Sequence, residues 1–145
     1  MHATMLMTIA LSLAMIFACF SVHYEALSLL TRVTAHAASR ARLVLALAMA
    51  GLVAVHIVEI ALFGVAFFAS VKVFHLGSFV ETRSMSLMDY FYYAAETYSS
   101  LGYGDIYPLG DVRLLASVTP VVGILLLGWS SGFLFSLVQV DGTKR

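Results

Sequence analysis

Three stretches of this sequence are long and apolar enough to cross a lipid bilayer, and a fourth has a helical pattern at only half that length. Spanning the hydrocarbon core takes about 20 consecutive apolar residues. Ala3–Val22 and Leu114–Val138 carry no charged residue, and Leu43–Ala69 is interrupted only by His56 and Glu59. Backbone polar groups in lipid must pair within their own segment, so each stretch is predicted to be a helix. Only 11% of the 145 residues are charged, against roughly 25% in soluble domains. That excludes an ordinary soluble domain. Eight basic residues balance eight acidic ones, so no net charge points to nucleic acid. The one thiol, Cys19, gives no disulfide and no thiolate metal site within a single chain. It reads as a small buried hydrophobe. The first stretch lacks a basic n-region and a small-residue cleavage site, so it is read as a retained helix.

Charge asymmetry orients these spans. Arg32, Arg40 and Arg42 lie between the first and second, and Lys144 and Arg145 end the sequence. With three spans both places fall on one side, which the positive-inside rule assigns to the cytoplasm. The N-terminus is then outside and the C-terminus inside, in a multi-pass protein of a cell's inner membrane. The outer segment between the second and third spans carries Glu81, Asp89, Glu96, Asp105 and Asp111 against Lys72, Arg83 and Arg113. An acidic outer mouth concentrates cations, although Glu81 and Asp111 read equally well as solvated loop charges. Leu27–Ala38 is mixed in pattern, either an extension of the first helix or an interfacial helix.

The short helix is predicted over Leu87–Tyr98. Ser86 precedes it as a cap, with Asp89 three residues on. Twelve residues make about 18 Å of helix, too short for a core of about 30 Å. Ser99-Ser100-Leu101-Gly102-Tyr103-Gly104-Asp105 follows, and then Ile106-Tyr107-Pro108. A half-length helix with a glycine-punctuated return is a re-entrant loop. Irregular backbone at membrane depth must be buried in protein or line a watery cavity. Carbonyl oxygens lining such a cavity replace the water around a cation. Glycines at every second position, Gly102 and Gly104, allow the left-handed dihedrals that turn successive carbonyls one way. The Ser100 hydroxyl offers a further oxygen ring. The negative end of the short helix dipole favours a cation at the same place.

Residues 96–108, Glu-Thr-Tyr-Ser-Ser-Leu-Gly-Tyr-Gly-Asp-Ile-Tyr-Pro, resemble the filter of the tetrameric potassium channels. The likeness is strongest to bacterial channels with a minimal two-helix pore and no voltage sensor, and it covers about Leu43–Val138. It implies an all-α membrane protein with three transmembrane helices, a re-entrant pore helix and a filter loop, assembling as a homotetramer in the lipid bilayer. The divisions are 1–42, an N-terminal helix and cytoplasmic connector; 43–138, the pore domain; and 139–145, a cytoplasmic tail. Within the pore domain the outer helix is 43–69, the pore helix 87–98, the filter 99–105 and the inner helix 112–138. The resemblance implies that K+ is ligated by the carbonyls of Ser100, Leu101, Gly102 and Tyr103 and by the Ser100 hydroxyl. It implies that Tyr103 braces the filter and that Gly104, Asp105 and Glu96 support it, with Glu96 paired to Asp105. Gly123 falls at the family's hinge glycine, three residues after Pro120, which can kink a helix. Ser100 stands for the family's threonine and Leu101 for its valine or isoleucine. Loss of β-branching at Leu101 frees χ1, so a looser filter with more sodium leak is expected.

Glu59 and His56 lie mid-span at i, i+3, on one helix face. An intramembrane carboxylate is a functional-site hypothesis by default. It has two readings here, a proton sensor coupling the outer and inner helices, or a polar pair satisfied by a neighbouring helix. Gly128 and Gly132 form a small-xxx-small pair that suits close helix packing. Phe63, Phe67, Phe68 and Phe91 suit packing or lipid contact.

The function expected is a potassium channel subunit passing monovalent cations. The alternatives are a weakly selective cation channel and a non-conducting membrane subunit on the same scaffold. An enzyme is not expected, because His56 and Glu59 lack further partners and His2, His23, His36 and His75 are scattered along the sequence. No cofactor is expected beyond the permeant K+.

Overall fold

A computed structural model of the chain describes residues 2–35, 41–80 and 85–142. Arg40, Glu81, Arg83, Lys144, Arg145 and His36, all used in the sequence reading, lie outside the described residues. Three long helices dominate: α1 (His2–Ala35), α2 (Ala41–Lys72) and α4 (Val112–Gly142). Each contains a stretch apolar and long enough to cross a membrane: His2–Thr34, Arg42–Lys72 and Val112–Gln139. Between α2 and α4 lies the short helix α3 (Leu87–Tyr98). The all-α membrane class follows from these four helices.

The long helices overshoot a bilayer core. At about 1.5 Å per residue, the 34 residues of α1 reach beyond the roughly 30 Å of hydrocarbon. The mixed stretch after Leu27 is therefore a continuation of the first helix, at least to Ala35. Likewise the outer helix, read over 43–69, runs Ala41–Lys72, and the inner helix, read over 112–138, runs Val112–Gly142. α4 carries Pro120 inside it without ending. Proline has no N–H, so the carbonyl one turn earlier, on Ala116, loses its helical partner there.

α3 packs on α2 and α4, while α1 packs on those same two helices from another side. Aromatic side chains cement the α2–α3 contact. Phe63 and Phe67 of α2 are fully buried. The Phe67 ring meets Tyr93 edge-on at 5.0 Å, and Phe68 meets Tyr90 edge-on at 5.5 Å. Such edge-to-face pairs place ring hydrogens against a π face, which favours them beyond the area they bury. Trp129 of α4 faces α1, with ring centroids 5.2 Å from Phe20 and 5.5 Å from His23.

A small sheet was not anticipated from the sequence. β1 (Gly77–Val80) and β2 (Tyr107–Gly110) pair antiparallel, Gly77 opposite Gly110 and Val80 opposite Tyr107. The Val112 N–H donates to the Leu76 carbonyl at 3.1 Å, continuing the tie into α4. A Cβ on Gly77 would lie 2.1 Å from the Leu109 carbonyl oxygen, so only glycine lets the strands close here. Four-residue strands with one glycine each give no alternation long enough to read. Their effect is to strap the C-terminal end of α2 to the start of α4, across the stretch that holds α3.

Candidate functional site

The short helix begins as its sequence suggests. The Ser86 backbone N–H donates to the Asp89 carboxylate at 2.7 Å, and so does the Ser86 hydroxyl. This satisfies an otherwise orphaned group at the helix start.

Its other end is the more informative. The Leu101 N–H donates to the Glu96 carbonyl at 2.8 Å, and the Ser100 N–H to the Thr97 carbonyl at 3.1 Å. These are the two bonds of a Schellman cap, whose pivot residue adopts a left-handed conformation. That pivot is usually glycine; here it is Ser100, at φ 59°. A left-handed L-residue costs about 1–2 kcal/mol. A β-branched side chain at positive φ is worse placed still. The structure thus gives a reason for serine in a place where the resembled filters carry threonine.

From Ser100 the sign of φ alternates. Gly102 is at 55° and Gly104 at 79°, while Leu101 and Tyr103 are not among the positive-φ residues. All seven residues from Ser99 to Asp105 are exposed in the single chain. Beyond the cap, the Gly102 N–H shares the Glu96 carbonyl at 3.2 Å, and side chains hold the segment to α3 as well. Glu96, buried in α3, accepts the Tyr103 backbone N–H on Oε2 at 3.0 Å. The Tyr103 ring lies parallel to that of Tyr92 in α3, 3° apart in plane with centroids at 6.5 Å. Asp105 accepts from the Tyr92 hydroxyl at 3.2 Å. Glu96 and Asp105 were expected to bond each other. Among the described hydrogen bonds each carboxylate takes a donor of its own, Asp105 from the Tyr92 hydroxyl and Glu96 from the Tyr103 N–H. Burial pushes the Glu96 carboxyl above the usual range; the Tyr103 N–H opposes the shift and the Asp105 charge adds to it.

Gly123 of α4 sits directly behind this segment. A Cβ added there would stand 1.9 Å from the Tyr98 carbonyl oxygen. Gly123 is therefore where α4 touches the last turn of α3. Gly128 and Gly132 differ: among the described residues, and apart from the helix's own backbone, nothing lies within 4 Å of a Cβ added at either. Their small faces are unused within one chain.

His56 and Glu59 are brought into a larger assembly. Glu59 is fully buried, and its Oε1 lies 2.9 Å from Nδ1 of His23, also fully buried. Its Oε2 lies 3.0 Å from His56 Nδ1 and accepts the Tyr98 hydroxyl at 2.5 Å. On the far side of the rings, the Ser130 hydroxyl is 2.9 Å from His56 Nε2 and 3.3 Å from His23 Nε2. One residue comes from α1, two from α2, one from α3 and one from α4. The view of His23 as merely scattered is corrected: 36 residues from Glu59 in sequence, it meets it side by side. His23, Tyr98 and Ser130 were all missed as partners. The available signal was physical, since an intramembrane carboxylate demands donors. Several polar residues in the spans competed for that part, and only packing chooses among them. His23, His56 and Glu59 also present ligand-type atoms within 4.8 Å of one another, the geometry of a group able to hold a metal ion.

Comparison with known proteins adds the family. Residues 55–140 match the model of the family described as "Ion channel". No curated protein and no solved structure matches the chain. The matched stretch begins within α2, takes in α3 and the glycine-bearing return, and ends within α4. It covers more than half of the sequence, and on it this chain belongs to the ion channel family.

Proposed function

We propose that the protein is one subunit of a homotetrameric, potassium-selective channel, with the return after α3 as its filter. The carrying observation is the alternation of φ at Ser100, Gly102 and Gly104, 59°, 55° and 79°. Alternating left- and right-handed residues turn successive carbonyls to one side, and four such chains around an axis would stack those carbonyls into rings. On this reading K+ is ligated by the carbonyls of Ser100, Leu101, Gly102 and Tyr103 with the Ser100 hydroxyl, and Gly104, Asp105 and Glu96 support them. Exposure of this backbone in the single chain supports assembly, since lipid would leave its polar groups unpaired. The unfilled faces of Gly128 and Gly132 suit close approach of a neighbouring subunit. The excess of basic residues between the first two spans and at the end of the sequence supports a topology with the N-terminus outside and the C-terminus in the cytoplasm of a cell's inner membrane.

Flux into proteoliposomes of purified protein tests the proposal, with potassium and sodium gradients run separately. Potassium flux exceeding sodium flux is expected, abolished by Gly102→Asp, which sets a side chain and a charge at a left-handed glycine. Equal passage of both ions would reduce the reading to a weakly selective cation channel. Passage of neither would favour a non-conducting subunit.

A further inference from the structure

The polar assembly around Glu59 is one cation short. Among the described residues its ion pairs are to His23 and His56, so with both rings neutral the carboxylate charge has no counter-charge among them. With both rings directing Nδ1–H at Glu59, both Nε2 atoms are bare acceptors facing one Ser130 hydroxyl, which has a single proton to give. Turning His56 to its Nε2–H tautomer supplies Ser130 but withdraws the His56 Nδ1–H from Glu59.

We propose that His23, His56, Glu59 and Tyr98 bind a divalent transition-metal ion of the zinc class. The two Nδ1 atoms and a Glu59 oxygen supply a two-histidine, one-carboxylate donor set, a combination that suits this ion. The Tyr98 oxygen, 2.9 Å from His56 Nδ1 and next to Glu59 Oε2, is the fourth donor. Binding moves the proton of each ring from Nδ1 to Nε2 and releases the Tyr98 phenol proton to solvent. The two Nε2–H groups then both donate to Ser130, whose oxygen has two lone pairs. This is the outer hydrogen bonding that holds metal-ligating histidines in place. One divalent ion, one carboxylate and one phenolate sum to zero charge, which suits a site among membrane helices.

The distances permit it. Bonds of about 2.0–2.2 Å in a tetrahedron set ligand atoms roughly 3.3–3.5 Å apart; the ligand-type atoms of His23, His56 and Glu59 already lie within 4.8 Å of one another, and the hydrogen-bonded pairs at 2.5–3.0 Å would part to admit the ion. The His56 side chain, 12% exposed against 0% for Glu59, marks the side of entry. The site stands independently of which ion passes the filter.

The test uses the full-length protein in detergent, stripped with chelator, incubated with Zn²⁺ alone, desalted and assayed for zinc per chain. One ion per chain is expected. His23→Gln and Glu59→Gln should fall to background, and Ser130→Ala should bind about 10–100-fold more weakly. Cobalt(II) loading of the unaltered protein gives a readout free of any folding defect in the variants. Intense visible absorption of a four-coordinate ion is expected. Three results would overturn the proposal: no retained zinc, zinc undiminished in His23→Gln, or the weak spectrum of hexaaqua-like cobalt. The first would leave an added proton as the missing cation.

Discussion

Two polar regions of this molecule meet at Tyr98, and they are built on opposite terms. The return from Ser99 to Asp105 is exposed in the single chain and conformationally costly at Ser100. The Glu59 assembly is buried side chain, drawn from all four helices of one chain. Tyr98 belongs to both: its hydroxyl bonds Glu59 while its carbonyl rests on Gly123. The contrast teaches a division of labour. On the proposed reading, carbonyls that meet an ion cannot be spent on internal bonds, and the segment bearing them is held instead by side chains of α3.

Removing the anchor should therefore cost more than removing a filter support. Glu59→Ala leaves buried donors on His23, His56 and Tyr98 unmet, and a loss of about 3–5 kcal/mol is expected. Glu96→Ala loses a single charge-assisted bond, to the Tyr103 N–H, about 1.5–3 kcal/mol. Denaturant unfolding in detergent ranks the two; the reverse order would break the comparison.

The junction itself comes next. Gly123→Ala drives a methyl into the Tyr98 carbonyl, and a cost of about 1–3 kcal/mol is expected, with reduced flux because the last turn of α3 must move. Altered gating with stability intact would instead favour a hinge role for Gly123 with Pro120. Gly128→Ala meets nothing in its own chain, so an isolated chain should change by less than about 0.5 kcal/mol. A larger effect in the assembled protein, read by cross-linking and unfolding together, would locate a neighbouring subunit there.

The smallest effect expected is at the cap. Ser100→Gly relieves a left-handed L-residue and should stabilise by about 1 kcal/mol, while discarding the hydroxyl proposed to ligate K+. Ser100→Thr should destabilise, since a β-branched residue fits poorly at φ 59°. Ion permeability ratios measured on Ser100→Thr with Leu101→Val sharpen the point. A higher potassium preference than in the unaltered protein is expected, and an equal ratio would count against a looser filter.

The legible parts were those set by local chemistry. The spans were readable because crossing lipid imposes an apolar length on consecutive residues. α3 was readable, cap included, because Ser86 and Asp89 sit three apart and no glycine interrupts Leu87–Tyr98. Gly102 and Gly104 disclosed their left-handed backbone, since little else makes glycine useful there. Ser100 did not, because its φ is imposed by the cap bonds from Leu101 and Ser100 to Glu96 and Thr97. The β1–β2 strap was hidden by its brevity.

By itself, then, the sequence determined a three-span chain with a half-length helix and a glycine-punctuated return. Tertiary structure alone decided that His23 reaches Glu59, that Ser130 closes the ring of donors and that Gly123 abuts Tyr98. The reason is range. Spans and turns depend on residues a few positions apart, whereas a buried carboxylate takes whichever donors helix packing delivers, and packing pairs residues 36, 39 or 107 positions distant.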